Sequence, residues 1–491
     1  MTILSASPSG GVVTSGSANI SQSGATTNIT QSTNKATINW QNFSIAKNET
    51  VNFAQPNVNA ITLNRVVGNE RSVIDGALNA NGQVWILNSN GVLFNSTASI
   101  NTAGLLATTK NISDADFNAG NYKFTGESSA SVINMGTIES SDNGYVAMLA
   151  NTVQNDGTIK AYKGSVHLTG ASEATINLNG NSIVTLTVEK GVLDAVVENK
   201  GAVLADGGEI YLTTNAVDEL LKGVVNNSGI IEANSIDDVK SHVELFAHGG
   251  TAKIGGTIIA KDGFVETSGK YFDFLGANIK AGEWLIDPVN VTIDSTLATA
   301  IQTALGTGNV TITTNGACTG VTCAGTGSDG NINVNSAITW ATAQKLTLNA
   351  DNNIYINADI TASNAAGKLA LYYGDSGDYH INAKVNLTAG ENFFTKKTSD
   401  VTETTWTVVT DSATMQGMTL NDTSKHYVLG IDLSLSGTNN WTPIGYGSYY
   451  FKGKFDGLGH TVSNVHINKP VQNYVGLFGQ TDSATIQNIG V

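Results

Sequence analysis

The stretch NANGQVWILNSNGVLFNSTASINTAGLLATT, residues 79–109, decides the fold of this chain. Apolar residues alternate with their neighbours at Val84 and Ile86 and again at Val92 and Phe94, which predicts two short strands. A further alternating run follows directly. Strand, polar turn and strand in succession is the pattern of a chain that winds into coils.

The turn between the two strands is Asn88-Ser89-Asn90-Gly91. Asn and Gly tolerate the positive φ that other residues resist, so we expect Asn90 and Gly91 to adopt it here.

The composition of the 491-residue chain favours one elongated repeat architecture over several ordinary domains. The chain holds 53 Gly but only 5 Pro, and charged residues make up 13%. Many short strands joined by Gly and Asn turns give this composition, whereas disordered chains carry more charge and more Pro. The formal net charge of −15 argues against a nucleic-acid partner, because binding a phosphate backbone needs a basic surface.

A short cassette of the form Asn-x-Gly-x-Val/Ile recurs at intervals of about 20–28 residues or twice that, at 134–138, 155–159, 199–203 and 227–231, with a variant at 255–259. Such a period predicts a solenoid, since stacked coils bury inward Val, Ile and Leu side chains that one coil cannot bury alone. We predict an all-β fold, a right-handed parallel β-helix, in which the repeated Asn side chains form structural hydrogen-bonded ladders.

Two segments depart from the coil pattern, and we expect both to lie outside the helix. Residues 176–198 carry two alternating runs around a Glu-Lys-Gly turn, which predicts a β-hairpin. Residues 215–226 place Val217, Leu220 and Leu221 at helical spacing, which predicts a short helix.

Pro288, which follows the strand-like EWLID, marks a boundary. We assign residues 1–290 to a first β-helical domain, 291–335 to a Gly-, Thr- and Asn-rich connecting region, and 336–491 to a continued solenoid. The last strands end without the polar cap that solenoid ends need, so we expect the chain to be a fragment of a longer one.

Cys318 and Cys323 are the two cysteines, in a Gly-rich stretch. No His or further Cys stands at ligand spacing, so a small loop disulfide is favoured over free thiols, and either over a metal site. No apolar run is long enough to span a membrane. The first residues lack the basic and apolar regions of a signal peptide. The chain is therefore either cytosolic or begins after a removed leader, and we prefer the second interpretation.

Catalytic motifs such as a G-x-S-x-G elbow, a Walker loop or H-E-x-x-H are missing from the sequence. His460 and His466 would share one side of a strand, but a zinc ion there would lack further ligands. Acidic pairs could serve a polysaccharide-cleaving β-helix. All of them lie in turn contexts without a basic or aromatic row beside them: Asp206 with Glu209, Asp237 with Asp238, and Asp375 with Asp378. We expect no enzymatic activity, no metal and no cofactor.

Ordered blocks of the sequence resemble the secretion domain of two-partner-secretion exoproteins, the filamentous-haemagglutinin-like adhesins of Gram-negative bacteria. The blocks are INWQNFSI (38–45), ETVNFAQPN (49–57), LNRVVG (63–68), LNANGQVWILNSNGVLFN (78–95) and INTAGLLATT (100–109). The resemblance continues through residues 204–233, 283–288 and 350–362. Near the end, FDGLGHTVSNVHI with VGLFGQ is similar to the glycine-rich GLUG repeat of large surface proteins.

This resemblance implies a right-handed parallel β-helix that is exported unfolded through an outer-membrane barrel with POTRA domains and folds at the cell surface. Two Asn-Pro-Asn motifs of the family, which matter for folding and secretion, map here to Gln55-Pro56-Asn57-Val58 and Asn88-Ser89-Asn90-Gly91. Gln55 replaces the first Asn of one motif, and Ser89 replaces the Pro of the other. We expect both turns to survive, because Asn90 and Gly91 meet the φ requirement.

The first functional hypothesis is accordingly a secreted surface adhesin or haemagglutinin, a virulence factor whose N-terminal domain directs export and nucleates folding. Its expected partners are the POTRA-containing barrel transporter and a host-cell receptor or glycan. We expect a monomer that is secreted or held at the bacterial surface. The alternatives are the stalk of a contact-dependent toxin or haemolysin, with its effector further downstream, and a polysaccharide-degrading β-helix enzyme.

Overall fold

A computed structural model of the chain describes residues 7–215, 222–314, 329–436 and 440–491. The chain forms two compact units, unit 1 running to Pro288 and unit 2 beginning at Val289. Among the described residues, no helix has the length and apolar character needed to cross a membrane.

The described part of unit 1 consists of strands, most of them short, and one helix, α1 (Asp114–Ala119). In chain order its strands are β1 (Val12–Ser15), β2 (Ala18–Ser23), β3 (Thr26–Gln31), β4 (Lys35–Trp40), β5 (Thr50–Ala54), β6 (Ile61–Val66), β7 (Ser72–Ile74), β8 (Ala77–Ala80), β9 (Gln83–Leu87), β10 (Val92–Phe94), β11 (Ser99–Thr102), β12 (Gly104–Thr108), β13 (Tyr122–Thr125), β14 (Ser131–Asn134), β15 (Thr137–Ser140), β16 (Tyr145–Ala150), β17 (Thr152–Asn155), β18 (Thr158–Lys160), β19 (Ser165–Gly170), β20 (Glu173–Asn179), β21 (Ser182–Lys190), β22 (Val196–Asn199), β23 (Ala202–Leu204), β24 (Glu209–Asn215), β25 (Val224–Asn227), β26 (Ile230–Glu232), β27 (His242–Ile254), β28 (Thr257–Phe274) and β29 (Asn278–Asp287).

Most of these strands stack in three parallel columns, each coil adding one strand to every column. Column A holds β3, β5, β8, β11, β15, β18, β23, β26 and the first parts of β28 and β29. Column B holds β4, β6, β9, β12, β16, β19, β24, the first part of β27, the middle of β28 and the last part of β29. Column C holds β7, β10, β14, β17, β22, β25 and further parts of β27 and β28.

The columns keep their register from coil to coil, so that like residues stack. Leu78, Ile100, Ile138 and Ile159 occupy equivalent positions of column A, and all four are buried. Because one coil offers each apolar side chain to the next, the interior is continuous along the stack. The predicted all-β, parallel β-helical fold is confirmed.

Antiparallel strands cover the first coil of unit 1. Strand β1 pairs with β4 at the head of column B, and β2 pairs with β3 at the head of column A. An open edge of a parallel stack would expose unpaired N–H and C=O groups, and these two strands occupy it.

The repeated Asn residues form a buried ladder at the end of the column C strands. The side-chain Nδ2 of Asn134 donates to Oδ1 of Asn155, Asn155 donates to Asn199, and Asn199 donates to Asn227, each over 2.8 Å. All four side chains are fully buried. The predicted structural role of these Asn side chains is confirmed.

A helix and a three-stranded antiparallel sheet cover part of the outer face of column B. The outer sheet has the strand order β13-β20-β21. Arg65 pairs with Asp114 at the start of α1 over 2.7 Å, and Lys35 Nζ donates to the carbonyl of Phe117 over 2.8 Å. These two cations therefore fix α1 to the coils.

The space between this cover and column B is a second apolar cluster, the outer core. Trp85 lies at its centre and makes ring contacts with Phe117, Tyr122 and Phe124 at 5.5, 4.9 and 5.5 Å. Its other members include Ile61, Leu63, Leu87, Leu106, Tyr145, Ala147, Leu149, Ile176 and Ile183. Strands β9, β12 and β16 are consequently buried on both faces, which explains their continuous apolar sequences.

The predicted β-hairpin exists, but its turn and second strand were placed wrongly. The turn is Gly180-Asn181, between β20 and β21, and not the Glu-Lys-Gly at 189–191. Gly180 adopts a φ of +65°, which suits a tight turn. Residues 196–199 form β22 of column C, because Asn199 belongs to the Asn ladder.

The helix predicted at 215–226 falls largely on residues 216–221, outside the described residues. Its last part is wrong, since Val224–Asn227 is strand β25. Val225 points into the core and Asn227 joins the ladder, so tertiary packing outweighs the local helical spacing.

Unit 2 also contains parallel columns. Its helices are α2 (Ser295–Ala304) and α3 (Ser412–Gln416). Its strands are β30 (Val291–Ile293), β31 (Asn309–Thr313), β32 (Ile332–Val334), β33 (Ile338–Trp340), β34 (Lys345–Asn349), β35 (Ile354–Ile356), β36 (Ile360–Ala362), β37 (Lys368–Tyr373), β38 (Tyr379–Ile381), β39 (Val385–Leu387), β40 (Gly390–Lys397), β41 (Thr404–Val409), β42 (His426–Leu429), β43 (Leu433–Ser434), β44 (Lys454–Asp456), β45 (Val462–Ser463) and β46 (Thr485–Gln487).

The columns of unit 2 are β30-β32-β35-β38, β33-β36-β39 and β31-β34-β37-β40. The stretch 291–335, predicted to be a connecting region, differs from a plain connector because it contains β30, α2, β31 and β32. Strand β41 then pairs antiparallel with β40, and β42, β44 and β46 stack parallel after it.

Candidate functional site

The two motif turns lie at different corners of the coil. Residues 55–58 connect β5 of column A to β6 of column B, whereas residues 88–91 connect β9 of column B to β10 of column C. Each turn therefore has its own set of contacts.

Gln55 is a buried amide with partners for both of its side-chain atoms. Its Nε2 donates to the carbonyls of Ala60 and Gln83 and to the Thr62 hydroxyl, over 3.1, 2.9 and 3.0 Å. Its Oε1 accepts from the backbone N–H of Gly82 over 2.9 Å. A buried polar group keeps its stabilising value only when every bond is made, so Gln55 locks two successive coils together at this corner.

Gln55 belongs to a longer buried polar path. The Thr62 hydroxyl donates to Gln31 Oε1. The Tyr145 hydroxyl donates to Gln83 Oε1 over 2.8 Å and accepts from Trp85 Nε1 over 2.6 Å. Burial raises the pKa of Tyr145, which keeps its hydroxyl protonated. The polar path, as we call it, runs from β3 through β6 and β9 to β16 and comprises Gln31, Thr62, Gln55, Gln83, Tyr145 and Trp85.

The rest of the first motif is exposed. Asn57 Oδ1 accepts from the N–H of Asn59, and its Nδ2 donates to Asn34 on the neighbouring coil, both over 3.0 Å. Pro56 and Val58 point to solvent. The first motif thus combines one buried structural residue with an accessible tip.

Asn88 anchors the second motif from inside. It is only 1% exposed, and its Nδ2 donates to the carbonyl of Glu70 and to the hydroxyl of Ser72, both over 3.0 Å. Its Oδ1 accepts from the N–H of Asn90 over 2.9 Å, and the N–H of Gly91 bonds to its carbonyl over 2.9 Å. The Asn88 side chain therefore organises the whole turn.

The predicted positive φ is found at Gly91 but not at Asn90. Gly91 has a φ of +104°, and a Cβ there would lie 2.9 Å from the carbonyl oxygen of Ser131. Asn90 keeps a negative φ and acts through its side chain, which donates to the carbonyl of Gly68 over 3.0 Å. The expectation for Asn90 was wrong, because a residue that tolerates a positive φ need not adopt one.

Two residues that sequence reasoning missed hold the second motif from outside. Lys110 is 1% exposed, and its Nζ donates to the carbonyls of Gly126 and Ser128 over 2.9 and 3.1 Å. The Ser128 hydroxyl in turn donates to the carbonyl of Ser89 over 2.6 Å. Burial lowers the pKa of Lys110, and nearby Glu127 opposes that shift. No sequence pattern marks this clamp, since its partners are backbone atoms.

The remaining candidates do not assemble into a site in the described part of the chain. His460 is buried while His466 is exposed, so the two do not share a face. No three His, Asp or Glu side chains among the described residues are arranged to hold a metal. The Asp206 Oδ1 accepts a hydrogen bond from the N–H of Asn234 over 2.8 Å, which is an ordinary role for an Asp in a turn. Cys318 and Cys323 lie outside the described residues.

Parts of the chain are similar to known sequences. Residues 5–248 match the family model of the TPS secretion domain. A heme/hemopexin-binding protein of Haemophilus influenzae strain Rd is 35% identical over 250 residues, which are 49% of this chain and 27% of that protein. Another heme/hemopexin-binding protein of Haemophilus influenzae is 31% identical over 293 residues, 54% of this chain and 31% of that protein. The chain thus spans less than a third of the length of these relatives.

One solved structure shares the fold. The crystal structure of the HMW1 secretion domain from Haemophilus influenzae superposes with a TM-score of 0.52 and 22% identity, covering 79% of this chain and 99% of that one.

Proposed function

Because residues 5–248 carry a TPS secretion domain, we propose that this domain directs export of the chain through a cognate outer-membrane barrel with POTRA domains. Its first coils nucleate folding at the cell surface. The coils that follow form an adhesin surface for a host-cell receptor or glycan. The role is binding rather than catalysis, in line with relatives that are named for what they bind.

The observation that carries this proposal is the polar path through the first coils. Its amide, hydroxyl and indole groups are buried, and each finds its partner on a neighbouring strand or coil. A half-formed path leaves buried polar groups unpaired, and such a state is higher in free energy than the unfolded chain, whose polar groups bond to water. These coils therefore form together. Later coils then add to a formed end through nearest-neighbour contacts, without a separate energy source.

The two faces of the first motif suggest two separable functions. Gln55 is buried in the polar path, whereas Val58 at the tip is 40% exposed. We assign folding to Gln55 and contact with the transporter to the exposed tip.

The test co-produces the chain with its transporter and measures secreted and cell-associated protein. Gln55→Leu removes an amide and leaves the Gly82 N–H and the Gln83 carbonyl short of a partner, so secretion should fall by about tenfold and refolding from urea should slow. Val58→Asp should reduce secretion while refolding of the purified chain stays normal.

The matched control is Gln154→Leu. The Gln154 side chain donates to the carboxylate of Asp156 on the outside of column C, and this variant should be secreted like the wild type. Wild-type secretion of Gln55→Leu would contradict the folding role. Parallel loss of refolding in Val58→Asp would contradict the separate transporter contact.

A further inference from the structure

A groove of about 440 Å³ lies where the outer sheet ends along column B. One wall is β21 of the outer sheet, through residues 184–188. The other wall is formed by outward side chains of β19, β24 and β27, among them Tyr211, Asn215, Glu244 and His248. The volume falls in the range of ordinary ligand sites.

The wall formed by β21 is a strand edge. Five consecutive residues, 184–188, line the groove, and a strand can present five residues in a row only along its edge, since successive side chains point to opposite faces. In the described part of the chain β21 pairs with β20 alone, so its other edge is unpaired.

Two irregularities bound this edge. The register with β20 shifts at Val184 and again at Glu189, each leaving one residue of β21 unopposed. Residues 185–188 between them pair regularly with β20. Bulges protect the ends of an edge strand from unwanted pairing, so the accessible edge is about four residues long.

The opposite wall has the polarity that a bound segment needs. The side-chain Oδ1 of Asn215 is buried and finds no hydrogen-bond partner among the described residues. The Tyr211 hydroxyl donates to Glu209 over 3.0 Å. Glu244 is the acidic residue of the lining, and among the described residues no Lys or Arg lines the groove. Burial lowers the pKa of His248, which leaves its imidazole neutral. The groove therefore favours a donor and a positive charge.

We propose that this groove binds an extended, basic peptide segment of a partner protein, which adds as a fourth strand to β21 of the outer sheet. Backbone hydrogen bonds to residues 185–188 supply the register, and a Lys or Arg of the segment faces Glu244. Strand addition of this kind uses main-chain bonds for affinity and side-chain pockets for specificity. The site is separate from both motif turns, so it goes beyond the export role.

The probe is a fluorescein-labelled hexapeptide of alternating Val and Lys, titrated against the whole chain at low salt and followed by fluorescence anisotropy. Saturable binding is expected. The same peptide with Glu in place of Lys should bind at least about tenfold more weakly, and so should a peptide N-methylated at every second backbone nitrogen, which cannot complete a strand ladder. Equal binding by the N-methylated peptide, or no saturable binding of the Lys peptide, would overturn the proposal.

Two variants locate the site on the chain. Thr187→Arg places a long cation on the edge of β21, and Glu244→Gln removes the acidic group of the opposite wall. Each should weaken binding by about tenfold, and Thr187→Arg should do so without changing the melting temperature. Thr137→Arg, on an exposed position of column A, is the matched control and should bind like the wild type. If both groove variants keep wild-type affinity, the peptide binds elsewhere and the assignment is wrong.

Discussion

Trp85 Nε1 donates a 2.6 Å hydrogen bond to the Tyr145 hydroxyl across an intervening strand. Strands β9 and β16 flank β12 in column B, and Gly104 of β12 leaves the room that the Tyr145 ring occupies. The bond joins the outer core to the polar path, because Trp85 belongs to the first and Tyr145 also bonds to Gln83 in the second. We therefore expect helix α1 and the outer sheet to unfold together with the coils that they cover.

Gly104→Ala tests this relationship. A Cβ on Gly104 would lie 2.6 Å from the Tyr145 ring, so the ring must move and its two hydrogen bonds must stretch. We expect a loss of about 1–3 kcal/mol in the free energy of unfolding, measured by urea denaturation. Gly126→Ala is the control, since the nearest atom to its Cβ position is 3.5 Å away. Equal midpoints for the two variants would contradict the expectation.

Asn155→Leu tests the Asn ladder. The substitution keeps the side-chain size but leaves Nδ2 of Asn134 and Oδ1 of Asn199 buried without their partners. Each unpaired group costs about 1–3 kcal/mol, so the urea midpoint should fall clearly. Asn101→Leu, at an exposed position of β11, should change it little. A midpoint shift no larger than that of the Asn101 variant would show that the ladder adds no stability.

His167 makes the stability of unit 1 depend on pH. Burial lowers the pKa of His167 to about 3, whereas an unfolded His titrates near its ordinary value of 6.5. On acidification the unfolded chain takes up this proton before the folded chain does. Stability is therefore lost as the pH falls below 6.5, by about 2 kcal/mol at pH 5. His167→Phe should flatten the decline between pH 7 and pH 5 in urea denaturation.

His242 provides a control of opposite sign. Its hydrogen bond with Glu244 raises its pKa, so His242 stabilises the folded chain at low pH and loses this effect as the pH rises through its folded pKa. His242→Phe should therefore steepen the acid decline. Parallel curves for the wild type and the His167 variant would contradict the assignment.

Lys110→Met tests the clamp on the second motif. Without the Nζ bonds to Gly126 and Ser128, the loop that carries Ser128 loses its anchor, and with it the contact to Ser89. Hydrogen exchange should accelerate in residues 126–130 and in the turn 88–91, while the Asn ladder stays protected. Lys47→Met, at an exposed position, serves as the control. Unchanged exchange in the turn would exclude a role for Lys110 in holding it.

The coils were predictable because their signals are local. Alternation of apolar residues marks the strands, and the Asn-x-Gly cassette repeats once per coil, so the ladder from Asn134 to Asn227 could be inferred from spacing alone. The turn at 88–91 was also located correctly. The φ values of this turn were not predicted correctly, because Asn90 can adopt a positive φ but does not do so here.

The hairpin of the outer sheet was predicted, but its pairing with β13 and the polar path could not be predicted, because their contacts join distant parts of the chain. Gln83 Nε2 donates to the carbonyl of Gly180 over 3.0 Å, although 97 residues separate the two. Lys35 likewise reaches Phe117. Such pairs carry no periodic pattern, and the double burial of β9 and β12 was visible only as an unusually apolar sequence.

The corner from column C to column A, here called the glycine corner, limits where the coils can accept inserted segments. Between β14 and the start of β28, every passage from column C to column A takes two residues ending in Gly, and a Cβ on Gly157, Gly201 or Gly229 would meet the carbonyl below at 2.1, 2.0 or 2.2 Å. The corner after column B has no such limit, and residues 171–195 depart from it to build the hairpin before β22 begins. New surface modules can therefore be grafted after column B, where the pitch of the coil is unaffected, while the glycine corner has no space for them.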